Sequence, residues 1–370
     1  MKFIGIDLHT NCFTACFLDE KGNKSIITYD LDAEGIEKFH ENVDMDSHVL
    51  VEATINSFCF VNLIKSNVKQ VLVANTYELK AISFTNKKTD KVDAYKLARI
   101  MKSQILSGEE QVHPVVVAPE KIQDLRALFT TYRLEKKQIT AVKNRIHSLL
   151  KQNLYPFTKE YIFGKKTRKA IRTLCEEKHV LNFQINLLMD QLEQLEETIK
   201  NLKGKILCDG SCYMKEINIL TSMRGLSVFT AIAIISDIIT VKRFSNSKKF
   251  ASYLRSTPRV ESSNEKTIIK STNKAGRKTA ITLLSQGLNH FRDCNPKIRR
   301  WYDRLRVYKK AGIVRMGMCR RVMTEIYQML KKEEYHYFRD PENHQKKMND
   351  YIKVLKKNGI AFSDNFDIAA

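Results

Sequence analysis

The chain opens as an alternation of short apolar runs and amphipathic stretches. Lys2–Asp7 (KFIGID) is a continuous apolar run that stops at a carboxylate, the pattern of a buried strand. Cys12–Leu18 and Ser25–Tyr29 flank the sequence DEKGN at 19–23, turn chemistry that predicts a hairpin. Ala33–Val43 reads as a helix, and His48–Val51 as a buried strand running into Glu52. Ser57–Ser66 reads as a second helix, Gln70–Val73 as a further strand, and Lys91–Ser107 as a helix opening just after Thr89 and Asp90.

Two long helical segments follow. In the first, apolar or aromatic residues recur at Leu125, Leu128, Tyr132, Ile139, Val142, Ile146 and Leu149, a heptad spacing broken at Glu135. In the second, Leu181, Ile185, Leu188, Leu192, Leu195, Ile199 and Leu202 alternate steps of four and three, which argues for a coiled coil. Spacing alone leaves open a hairpin within one chain or a seam between two. From Ile217 the pattern is a helix, a turn at Met223-Arg224-Gly225-Leu226, and a second helix around Thr230–Ile235. A glycine turn of this kind can offer backbone N–H groups to a phosphate. Phe250–Leu254 precedes a stretch rich in Ser, Thr, Asn and Lys from Ser256 to Gly276, read as a polar loop. A helix follows from Lys278 to Phe291, and from Lys331 the tail is charged and aromatic. Three antiparallel strands followed by helix, strand, helix, strand and helix is the order of an RNase-H-like α/β domain at 1–110.

Charge changes the picture most. The 370 residues carry 63 Lys and Arg against 41 Asp and Glu, a net of +22. Residues 1–110 hold 13 basic and 16 acidic residues, so the excess lies beyond them, where 50 basic face 25 acidic. A surface of that density repels itself unless its partner is a polyanion, which points to nucleic acid. No apolar run approaches the ~20 residues of a membrane helix, so no membrane is expected. The eight cysteines, among them the close pair Cys208 and Cys212, show no metal-site pattern and read as reduced cytoplasmic thiols.

Four carboxylates stand out. Asp7 and Glu52 each end an apolar strand, where an unpaired charge would cost several kcal/mol and therefore meets a cation. Asp90 and Asp93 are three apart at a helix start, on one face. Carboxylates converging from two strand ends and a helix can hold two Mg²⁺ ions about 4 Å apart, the arrangement used in phosphoryl transfer. Singly, each has a plainer reading: Asp90 is also a candidate N-cap, and Asp at a strand end is often a turn residue. Ser262 and Ser263 form a second candidate pair. A hydroxyl nucleophile needs a base, a metal or surrounding cations, and no histidine is nearby in sequence.

Specific blocks carry a resemblance. They are Gly5-Ile6-Asp7, Val51-Glu52-Ala53-Thr54, Lys88-Thr89-Asp90-Lys91-Val92-Asp93-Ala94 and Leu125-Arg126. In the second half they are Gly225-Leu226, Phe250-Ala251-Ser252-Tyr253, Thr257-Pro258-Arg259-Val260, Ser263-Asn264-Glu265 and Lys274-Ala275-Gly276. To about residue 330 the chain resembles the DEDD transposases of insertion-sequence family one-ten. The resemblance implies a RuvC-like domain in which Asp7, Glu52, Asp90 and Asp93 coordinate Mg²⁺, with Mn²⁺ as a substitute. It also implies a serine that joins covalently to DNA, and counting five residues beyond Pro258 lands on Ser263. This sequence has Ser-Asn there, where many members have Ser-Gly. Members of the family resemble RNA-guided recombinases: a structured guide RNA from the element's flank pairs with donor and target DNA. They assemble as homo-oligomers, dimer or tetramer.

The resulting expectation is an α/β RNase-H-like (RuvC-like) domain at 1–110, a helical coiled-coil segment at 111–205, a mostly α-helical transposase domain with the serine at 206–330, and a charged tail at 331–370. A RuvC-like metal nuclease or junction resolvase without a covalent intermediate is the nearest alternative. An actin-like ATPase is disfavoured because 13 glycines do not supply its further phosphate and adenosine loops. A purely structural nucleic-acid binder has no need of the four carboxylates. The charge distribution yields a first prediction. Raising salt from about 50 to 200 mM should weaken DNA and RNA binding at least ~100-fold in a filter-binding assay, whereas an affinity flat across that range would contradict the polyanion reading.

Overall fold

The apolar run that opens the chain becomes the central strand of a five-stranded mixed sheet. The computed structural model describes residues 1–76, 79, 89–155, 163–263, 266–272 and 276–360, with backbone alone at 165, 260–263 and 266–271. The chain divides into two units, Met1–Ala118 and Pro119–Ala370.

In the first unit the sheet order is β3-β2-β1-β4-β5, formed by β1 (Lys2–Leu8), β2 (Cys12–Asp19), β3 (Lys24–Asp30), β4 (Ser47–Glu52) and β5 (Gln70–Ala74). β2 runs antiparallel to both β1 and β3, whereas β4 runs parallel to both β1 and β5. The hairpin turn between β2 and β3 closes on Asp19, whose carboxylate accepts from the Asn23 N–H and side chain at 2.8 and 2.7 Å, and Gly22 takes φ +95°. Helices α1 (Ala33–His40) and α2 (Ser57–Ile64) cover one face, burying Ile4, Ile6, Phe39 and Phe60. The other face, carrying Phe3 and Leu50, is covered by α3 (Asp90–Ser107) through Ala94, Leu97, Ala98 and Met101.

Gly5 sets how closely α3 approaches. A Cβ at Gly5 would stand 2.1 Å from the Ala94 carbonyl oxygen and 2.2 Å from the Ala98 nitrogen, both backbone atoms. The helix therefore lies directly on the strand backbone. Its far end is fixed by Lys102, whose ammonium donates to the carbonyls of Asp19 and Glu20 at 3.0 and 2.7 Å. Because Lys2 pairs with Asp19, α3 runs opposite to β1, and its N-terminus lies towards Asp7.

The second unit is mainly helical: α4 (Glu120–Gln152), α5 (Lys165–Leu174), α6 (His179–Asp209), α7 (Met214–Thr221), α8 (Val228–Ile238), α9 (Ser247–Tyr253), α10 (Thr279–Cys294), α11 (Pro296–Arg306), α12 (Ala311–Lys332) and α13 (Pro341–Lys357). The strands β6 (Pro258–Ser263) and β7 (Lys266–Thr272) pair antiparallel between α9 and α10. The long helices α4 and α6 pack side by side within one chain. Lys143 stands 3.8 Å from Glu196, and Lys136 is close enough to Lys203 for its charge to add to burial in lowering that lysine's pKa, so the pair is antiparallel. The buried seam departs from strict heptads. Phe129 rather than Leu128 is buried in α4, and Met189 rather than Leu188 in α6. Both departures are local, because the buried row returns to the heptad positions at Tyr132 and at Leu192.

Two stretches differ from expectation. The polar stretch 256–276, read as a loop, holds the β6–β7 ladder, in which Val260 faces Ile269 and Glu261 faces Ile268. β-Branched residues in both strands favour pairing despite the polar neighbours. The tail, too, is more than a charged extension. α13 buries His344, Met348, Tyr351 and Leu355, one helical face, and Tyr351 Oη donates to the Leu207 carbonyl at 2.7 Å. Among the described residues, no helix is long and apolar enough to cross a membrane.

The close approach at Gly5 is directly testable. Gly5→Ala should destabilise the first unit by about 2–3 kcal/mol, seen as lost hydrogen-exchange protection in 90–107, because a methyl must displace backbone rather than a pliable side chain. Gly204→Ala, within the last two turns of α6 with open space at its Cβ, should instead stabilise by roughly 0.5–1 kcal/mol. Equal effects of the two would refute the packing argument.

Candidate functional site

Strand and helix rises explain which carboxylates meet. With Ala94 seated on Gly5, one helical turn back along α3 (5.4 Å) reaches Asp90, and two residues forward along β1 (about 6.6 Å) reach Asp7. The two carboxylates therefore converge at the same end of the sheet. Asp7 is only 9% exposed, whereas Asp90 lies in the first turn of α3, behind an N-cap in which the Thr89 hydroxyl accepts from the Val92 N–H. The positive end of a helix favours carboxylates in that turn.

Between them stands a residue that the sequence reading missed. His9 Nε2 is 3.4 Å from Asp7 Oδ2 and 3.3 Å from Asp90 Oδ2. Among the described residues, Asp7, His9 and Asp90 are the group of three whose possible ligand atoms all lie within 4.8 Å of one another. The signal was present: His9 follows Asp7 by two positions, and period two along a strand puts both on one face. The remaining predicted carboxylates lie outside that trio. Glu52 ends β4, the parallel neighbour of β1, where the last registered pair is Ile6 with Val51. Asp93 lies one turn into α3 and is paired with Lys96 at 2.9 Å. Lys88, in the same sequence block, lies outside the described residues.

The donor set suits a hard divalent ion. Carboxylate oxygens are the usual ligands of Mg²⁺ and Mn²⁺.

In the second unit, Ser262 faces Thr267 and Ser263 faces Lys266 across the β6–β7 ladder. Their side chains, together with Asn264, Glu265, Lys274 and Ala275, lie outside what the structure describes. The base of this hairpin is well defined. Arg277 N–H donates to the Tyr253 carbonyl at 3.1 Å, and Arg255 Nε donates to the Gly276 carbonyl at 2.6 Å. Gly276 holds φ +89°, and a Cβ there would lie 2.2 Å from the Tyr253 oxygen.

Beneath the hairpin are two buried charges. Arg126, on α4, donates from Nε to the Ser236 carbonyl (2.8 Å) and from Nη2 to the Asp237 carbonyl (3.1 Å), capping the C-terminus of α8. Burial lowers its pKa to about 10, so the guanidinium remains charged at neutral pH. Asp237, 1% exposed, accepts at Oδ2 from the Ala280 N–H (2.8 Å) and so caps the N-terminus of α10. Burial pushes its carboxyl upward, against the opposing pull of the Ala280 N–H, Arg277 and Arg126.

These features meet the comparisons with known proteins. Residues 4–155 match a DEDD transposase model of the IS110 group, described as a transposase, and residues 217–303 match a model described as Transposase IS116/IS110/IS902 family. The transposase for insertion sequence element IS1533 of Leptospira borgpetersenii is 22% identical over 255 residues, which span 66% of this chain and 72% of that protein. An α/β unit with gathered carboxylates, followed by a basic helical unit, is thus the layout of a DNA transposase. The chain belongs to the IS110 family of insertion-sequence transposases.

The caps beneath the hairpin carry a prediction. Asp237→Ala should cost about 1–3 kcal/mol in urea unfolding, since it orphans the Ala280 N–H, while Asp237→Asn keeps an acceptor and should cost less than half as much. Because the folded carboxyl binds its proton more tightly than the unfolded one, wild type should lose stability relative to Asp237→Asn as pH rises through the ordinary carboxylate range towards the raised value. The opposite slope would mean that the neighbouring arginines outweigh burial.

Proposed function

We propose that this transposase is a metal-dependent DNA recombinase. In this reading Asp7, Glu52, Asp90 and Asp93 hold Mg²⁺, with Mn²⁺ as a substitute, and Ser263 is the nucleophile. The convergence of Asp7 and Asp90 at one sheet end carries the reading, in a chain whose two halves both match transposase models. The strand order, with an antiparallel β1–β3 meander and parallel β4 and β5, supports an RNase-H-like (RuvC-like) first unit. The antiparallel α4–α6 pair supports a coiled-coil arm across the 111–205 segment, ahead of the transposase domain at 206–330.

A divalent ion at the carboxylates supplies neutralisation of charge on the scissile phosphate. The protein's own part is to orient ligands and nucleophile. Ser263 Oγ bonds to a DNA phosphorus as the bond from phosphorus to one deoxyribose oxygen breaks. The serine proton passes to water, and the freed strand end takes up a proton as a hydroxyl. The phosphodiester survives as a phosphoserine link, from which a DNA hydroxyl can rejoin the strand by the reverse attack. The basic residues beyond 110 support binding of donor and target DNA and of a structured guide RNA encoded beside the element. Protomers work as a dimer or tetramer, in the cytoplasm.

End-labelled DNA incubated with protein and Mg²⁺, then run on a denaturing gel, tests this. Wild type should give a shifted, protease-sensitive band that is absent from Ser263→Ala and retained largely in Ser262→Ala. Asp7→Asn should lose cleavage while keeping DNA affinity within about twofold, since one ligand charge goes without a change of shape. Loss of the adduct in Ser262→Ala alone would move the nucleophile one residue back. Cleavage without an adduct in any variant would leave a nuclease acting through water.

A further inference from the structure

We infer that His9 is a nitrogen ligand of the carboxylate centre, giving it a mixed nitrogen–oxygen donor set that favours Mn²⁺ over Mg²⁺. The inference rests on the reading of that centre as a metal site, and adds a residue that the four-carboxylate set does not contain.

The position of the imidazole is built in. The His9 N–H donates to the Cys12 carbonyl at 2.9 Å, within the turn from β1 to β2. The His9 carbonyl accepts from Asn56 Nδ2 at 2.8 Å, and Asn56 in turn accepts at Oδ1 from the Thr54 hydroxyl at 2.9 Å. The backbone of His9 is thus held from both sides, by its own turn and by the segment leading from β4 into α2. The side chain remains 46% exposed, so burial of the ring does not account for where it stands.

The spacing leaves room for an ion to be shared. A charge-assisted N–H···O⁻ bond closes to about 2.7–2.9 Å. Adjacent ligands on an octahedral ion with bonds of 2.0–2.1 Å stand about 3.0 Å apart, and somewhat further around the larger Mn²⁺. His9 Nε2 lies at 3.4 and 3.3 Å from the two carboxylate oxygens, evenly, so a small inward movement of the three side chains brings them to the spacing of ligands on one ion. Three donors drawn this close, with all ligand atoms within 4.8 Å, can share one ion.

Donor chemistry then sets the preference. Mg²⁺ takes oxygen ligands and keeps much of its water, whereas imidazole beside carboxylates is a donor set that transition metals, including manganese, accept.

Mn²⁺ titrated into the full chain and followed by electron paramagnetic resonance tests the inference, with echo-envelope modulation reading ¹⁴N bound to the ion. Wild type should show nitrogen modulation, and His9→Gln should lose it together with ~10-fold or more of Mn²⁺ affinity. Mg²⁺ affinity, read by competition, should change less, and the all-oxygen variant His9→Asp should bind Mg²⁺ better relative to Mn²⁺ than wild type does. Circular dichroism of His9→Gln should match wild type, since the ring is not part of the core. Mn²⁺ bound with unchanged affinity in His9→Gln, or nitrogen modulation surviving in that variant, would overturn the role of His9 while leaving the carboxylate centre intact. Wild type that binds no Mn²⁺, or binding that Asp7→Asn leaves untouched, would overturn the centre itself.

Discussion

The contact between Gly5 and α3 is the constraint on which the first unit depends. A helix laid on a strand usually stands off by the thickness of side chains, yet here Ala94 and Ala98 bring backbone to within what a single Cβ would occupy. Small residues on the helix and none on the strand make that possible. The consequence is positional: the first turn of α3 lies beside the C-terminal end of β1, where Asp90 and Asp7 both reach His9. The catalytic candidates are therefore placed by backbone against backbone, the least compressible contact available in a core.

The second unit is ordered by a different means. Arg126 reaches from α4 to the end of α8, about 110 residues further along the chain, and Asp237 reaches from that same end to the start of α10. Each charge satisfies helix-terminal groups that would otherwise be buried without partners. The α8 terminus they fix includes Ile239 at φ +66°, an uncommon conformation for a β-branched residue, which persists because its neighbours are held on both sides. A frame made of buried hydrogen bonds to charge is stiff and specific, and it underlies the base of the serine-bearing hairpin.

Much of this was legible in the sequence where the information is local. The strands of the first unit announce themselves through apolar runs and the Asp19–Asn23 turn, and Asp7 and Asp90 through their places at strand end and helix start. What depends on three-dimensional approach was not legible. His9 sits in plain view two residues after Asp7, but its relation to Asp90 exists only once α3 lies on Gly5. In α6 Met189 is buried in place of Leu188, a local choice that exists only in the folded structure. The β6–β7 pairing was masked by its Ser, Thr and Lys content, and α13 by charged neighbours around its four buried positions.

The far end of the chain also governs when the second unit can be finished. Lys347 donates its ammonium to the carbonyls of Thr221 and Leu226, both at 3.1 Å, across the turn at Gly225, and burial draws its pKa below the ordinary lysine value. That turn has no such cation until residue 347 has been synthesised, whereas the residues of the first unit end at Ala118. At about 5–20 residues per second, the interval between the two is on the order of ten to fifty seconds. On a translating ribosome, then, the residues of the α/β unit are complete well before the turn at Gly225 receives the cation that its carbonyls bind.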